Sequence, residues 1–129
     1  MKFASFSLAF LFLIKIVQAD PTHYLILSSE STASDPEWKK VIDQLESKYE
    51  SSRALHFPDG KPEDILEKLR KIKPRYTCFV AKHPEVTRVM VAKIHQLTRK
   101  IDEDPYTDTI WGILTGYDSE NALSIAKTR

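Results

Sequence analysis

The sequence predicts an α/β domain with three layers, α/β/α, built on a mainly parallel four-stranded sheet. Four short apolar segments alternate with amphipathic segments in the order βαβαβαβα, and such alternation implies parallel pairing through right-handed crossovers. The first segment is almost continuously apolar, as strands buried on both faces are. The single cysteine, Cys78, leaves no partner for an internal disulfide, so core packing must hold the domain together.

Residues 23–28 (HYLILS) are the first predicted strand, and Ser28 to Asp35 is a polar, turn-rich stretch. Pro36 then sits where a first helical residue belongs, with Ser34 or Asp35 as N-cap. Trp38, Val41, Ile42, Leu45 and Tyr49 fall on one helical stripe, with Lys39, Lys40, Asp43 and Lys48 turned outward. Residues 53–57 (RALHF) form a second, weaker strand, closed by Pro58-Asp59-Gly60. Pro62 opens the next helix, whose stripe is Ile65, Leu66, Leu69 and Ile72, and Pro74 ends it.

Residues 76–81 (YTCFVA) have the strongest β character among the first three strands. His83-Pro84-Glu85 opens a helix expected to run to about Ile101, on the spacing of Val86, Met90, Ile94, Leu97 and Ile101. An acidic loop follows, then a strand over 110–115 (IWGILT). A last helix starts at Ser119, with Asp118 as N-cap and Glu120 in its first turn. No strand follows that helix in the sequence, so the unit is expected to be either self-contained or the front of a longer sheet, truncated at its C-terminal side.

Residues 1–19 read as a secretory signal peptide. Lys2 supplies the positive start, Phe3 to Ile14 is uncharged and apolar, and Val17-Gln18-Ala19 suits cleavage after Ala19. The run is shorter than the roughly 20 apolar residues that span a bilayer. Residues 20–129 then form one domain that is exported, secreted or periplasmic, with no stable membrane span. Losing Lys2 and Lys15 turns the formal charge from +1 to −1. Neither value supports binding to nucleic acid or to an anionic membrane.

Ligands of open parallel sheets bind outside the carboxyl ends of the strands. That rule selects Ser28-Ser29-Glu30, Pro58-Asp59-Gly60, Lys82-His83 and Thr115-Gly116-Tyr117. With the strand order 2-1-3-4, Ser28, Ser29 and His83 face one crevice. A serine and a histidine there suit nucleophilic catalysis, but no G-x-S-x-G elbow surrounds either serine, and both have an ordinary use in bonding loop backbone. The ligand-binding candidates are therefore Ser28, Ser29, His83, Thr115, Gly116 and Tyr117, and no catalytic residue is assigned.

Cys78, between bulky neighbours in a strand, reads as a small buried hydrophobe. Asp102, Asp104 and Asp108 are the metal candidates, and calcium is the ion their oxygens would suit. Their spacing is not that of an EF-hand, and a solvated loop is the other reading. No other cofactor is expected. Gly112 marks a bulge or a close approach, and Gly116 a backbone angle that other residues resist.

The block from Asp104 to Lys127 (DPYTDTIWGILTGYDSENALSIAK) resembles a segment of gingipain-like cysteine peptidases. The matching residues are Asp104, Tyr106, Asp108, Gly112, the helix from Ser119 to Ala126, and Lys127. Residues 23–29, 35–49 and 75–85 are similar to that family's opening strand, its helix with a Trp-Lys pair, and the strand before the acidic segment. The resemblance implies a caspase-like fold, here a caspase-like or flavodoxin-like half. In that family the catalytic histidine and cysteine lie on later strands, and nothing here matches the His-Gly or nucleophile motifs. The implied protein is the front half of a peptidase-like domain or a non-catalytic relative, with an exposed sheet edge beside the fourth strand prone to pairing.

Overall fold

The computed structural model describes residues 22–129. The predicted signal peptide, residues 1–19, lies outside the described residues. Four parallel strands, β1 (Tyr24–Ser29), β2 (Ser52–Phe57), β3 (Tyr76–Val80) and β4 (Ile110–Leu114), form one sheet in the order β2-β1-β3-β4. The register is regular. Tyr24, Tyr76 and Ile110 form one row across β1, β3 and β4, and Ile26, Cys78 and Gly112 the next row on the same face.

The helices are α1 (Glu30–Ser34), α2 (Pro36–Lys48), α3 (Leu66–Ile72), α4 (Arg88–Thr98) and α5 (Ser119–Lys127). They cover both faces, which makes the three-layer α/β/α fold. On one face Leu25, Leu27 and Phe79 pack with Leu69, Ile94 and Leu97 of α3 and α4. On the other, Ile26, Cys78 and Val80 pack with Trp38, Val41 and Ala122 of α2 and α5. Alternation along β1 sends Leu25 and Leu27 to one core and Ile26 to the other, and each fully buried aliphatic side chain contributes about 1.5–3 kcal/mol.

Three elements differ from expectation for local reasons. The polar stretch after β1 contains α1, because the Ser29 hydroxyl caps it, accepting from the Thr32 N–H at 3.2 Å. The third helix is split. A three-residue 3-10 turn, His83–Glu85, comes first, and then Thr87 caps α4 by accepting from the Met90 N–H at 3.1 Å. That helix stops at Thr98 rather than Ile101, its last turn tightened by an Arg99 N–H bond to the Gln96 carbonyl. The α3 segment likewise begins as a 3-10 turn, Pro62–Ile65, and ends on left-handed Lys73 ahead of Pro74. Among the described residues, no helix is long and apolar enough to cross a membrane.

Candidate functional site

The carboxyl ends of β1 and β3 flank the switch point of the sheet, where a ligand crevice is expected. The crevice there is filled, with about 10 Å³ of free space between Ser29, Phe57, Phe79 and Glu85. What fills it is the Glu85 carboxylate. The Ser29 hydroxyl donates to Oε1. The Thr32 hydroxyl donates to Oε2 at 2.6 Å, and the Lys82 N–H to the same oxygen at 2.8 Å. Ser29 and Thr32 are buried.

The other candidates at this end serve different partners. Ser28 is buried and its Oγ lies 3.1 Å from Nδ1 of His56, the residue opposite it on β2. His83 is exposed and its ring stacks on Tyr117, centroids 6.3 Å apart. Neither serine hydrogen-bonds His83. Tyr117 is 92% exposed. Thr115 Oγ1 is buried without a hydrogen-bond partner among the described residues.

Neither glycine does what was expected of it. Gly116 is needed for close approach, not for an unusual backbone angle: a Cβ there would lie 2.8 Å from the Ala122 nitrogen. Gly112 sits in regular register, and a Cβ there would meet nothing within 4 Å. It is neither a bulge nor a point of close approach among the described residues.

The open space lies elsewhere. A groove of about 490 Å³ runs along β4 on the α5 side, lined by Tyr24, Tyr76, Cys78, Ile110, Gly112 and Ile125. It exists because α5 turns its small Ala122 and Ala126 inward and packs chiefly on α2. The far side of this face stays uncovered, and Ile110 is 64% exposed. Beside it, a cleft of about 360 Å³ at the amino end of the sheet is lined by His23, Tyr24, Tyr49, Glu50 and Tyr76. Tyr24 and Tyr49 stack at 4.0 Å. Burial, with Cys78 and Tyr49 alongside, holds the Tyr24 phenol well above the usual tyrosine range. The strand-end rule does not select these tyrosines. Their only signal in the sequence is that three of the five fall at strand or helix ends.

In the acidic loop, Asp102, Asp104 and Asp108 bring carboxylate oxygens within 4.8 Å of one another. A hard cation such as calcium is the ion this donor set could hold. The carboxylates already bond backbone. Asp108 accepts from the Asp102 N–H at 3.0 Å, Asp102 from Asp104 at 2.8 Å, and Asp104 from Tyr106 at 2.8 Å. Burial, together with the neighbouring carboxylates, raises the Asp108 pKa.

Cys78 is buried under α2 and α5, and burial pushes its thiol pKa up. A thiol in that state is a poor nucleophile. No family model, curated protein or solved structure matches the chain.

Proposed function

We propose that this chain is an exported, non-catalytic relative of gingipain-like cysteine peptidase domains. In this reading it works as an α/β module whose fourth strand accepts a further strand, from the same polypeptide or from another. The open β4 edge is the observation that carries the proposal. The strand IWGIL contains no charged residue or proline, it pairs on one side only, and it borders the apolar groove. Natural edges of this kind are normally blunted or covered. The block resembling the peptidases, Asp104 to Lys127, comprises this strand, the loop before it and the helix after it. Support for a non-catalytic role comes from the burial of Ser28 and Ser29 and from the Cys78 thiol, which borders the groove but is held protonated by its largely buried setting.

Two measurements test this. Thiol-reactive and serine-reactive probes on the folded protein should leave Ser28 and Ser29 unlabelled, with Cys78 reacting far more slowly than after unfolding. Rapid labelling of any of them in the native state would sink the non-catalytic reading. Coding sequence after the Arg129 codon tests the family. An in-frame continuation with further strands, a His-Gly and a cysteine makes the chain the front of a peptidase domain, whereas a stop codon in a folded, soluble product favours a free-standing module.

A second reading is a small exported binding module that takes a ligand in the cleft of Tyr24, Tyr49 and Tyr76. It rests on the volume and aromatic lining of that cleft.

A further inference from the structure

Two of the three donors that hold Glu85, the Ser29 and Thr32 hydroxyls, are fixed by elements that do not depend on it. The Ser29 Oγ accepts the Thr32 N–H as the cap of α1, so its own proton points away, toward the crevice. Thr32 lies on α1 and is fully buried. The third donor, the Lys82 N–H, follows β3 directly, and Lys82 is also the N-cap of the His83–Glu85 turn, its carbonyl accepting the Glu85 N–H at 2.9 Å. The acceptor rides on the three-residue turn His83–Glu85, which an irregular link joins to α4. Without the Glu85 carboxylate, the buried Thr32 hydroxyl and the Lys82 N–H would lose their acceptor and the Ser29 hydroxyl would keep only Ser31 Oγ, at 3.2 Å, and unmet buried donors are costly. The arrangement sits at the switch point, the place where open α/β sheets bind ligands.

We propose that this crevice is a carboxylate-binding socket, occupied by the chain's own Glu85 as a built-in ligand. Ser29, Thr32 and the Lys82 N–H form the socket, and the His83–Glu85 turn is the plug. When the Glu85 carboxylate is removed, a free carboxylate takes the same donors. The socket does not depend on the β4 edge, so the two proposals stand or fall separately.

The test uses acetate as the probe carboxylate and unfolding of the mature chain as the readout. Glu85→Ala should unfold at lower denaturant than the parent protein. At about ten times its dissociation constant, acetate should raise the folded-to-unfolded ratio of Glu85→Ala about elevenfold. Chloride at equal ionic strength should not. The parent protein and Glu85→Gln, whose crevices stay filled, should not respond. Nor should Glu85→Ala combined with Thr32→Val, which lacks one donor. If Glu85→Ala is unfolded in chloride, acetate should restore its near-ultraviolet circular dichroism. A response shared equally by all the variants, or no response or recovery in Glu85→Ala, overturns the proposal.

Discussion

The two edges of this sheet are built on opposite plans. At β2 the exposed edge carries Arg53 and His56, and Glu46 from the end of α2 accepts the Ala54 N–H at 3.1 Å. Charge and a side-chain cover both discourage another strand from pairing there. At β4 the sequence is Ile-Trp-Gly-Ile-Leu, with no charged side chain. One face of β4 is anchored, with Trp111 against Phe79 edge-on at 6.2 Å, and the other opens onto the groove. The difference is chemical rather than topological, because both are parallel outer strands of one sheet. An edge that is apolar, uncharged and grooved is suited to pairing, and one that is charged and bonded is suited to solvent.

The contrast can be broken first at its anchor. Phe79→Ala removes the ring that Trp111 packs on and should cost about 3–5 kcal/mol, read from urea unfolding. A loss well below 1 kcal/mol would mean that β4 is held by something other than this core.

The two glycines flanking the groove come next and should differ in sign. Gly116→Ala pushes a methyl group into the backbone of α5 and should destabilise by about 1–3 kcal/mol. Gly112→Ala meets open space and should stabilise this edge strand by about 0.5–1 kcal/mol. If Gly112→Ala instead weakens the protein, a group outside the described residues occupies the groove.

Ile110→Lys makes the β4 edge resemble the β2 edge. It should leave stability within about 0.5 kcal/mol while abolishing concentration-dependent association in light scattering. Association that persists at the parent level would place the contact elsewhere.

Acid provides the smallest effect, at a point on neither edge. Lys82, at 2.9 Å, holds the Asp35 carboxyl below its ordinary value of 3.8, with the Glu37 N–H assisting. Asp35 therefore adds stability above its unfolded pKa and loses it as pH falls through the folded value. Acid titration of Asp35→Asn should be flatter below about pH 4 than that of the parent, with association unchanged. An identical titration would remove Asp35 from the account.

Most of the architecture was legible because the driving patterns are local. All four strands, the stripe of α2, the start of α5 and their caps at Asp35 and Asp118 follow from spacing and capping chemistry within a few residues. Helix limits were read less well, since Thr87 and Thr98 redirect backbone bonds within an otherwise continuous apolar stripe. The site was the least legible part. Ser29 and Glu85 are 56 positions apart, and no local pattern says that one will satisfy the other.

Hydrophobic periodicity, capping residues and the lone cysteine were enough to specify a parallel α/β domain held by packing, because each acts over one turn of helix or one strand. Which crevice is closed and which face is open depended on how separate elements met. Glu85 reaches the β1 end only once β3 lies beside β1. The groove opens only because two small alanines draw α5 toward α2 and away from β4. Such contacts are set by the closure of the whole chain, and single-segment chemistry carries no record of them.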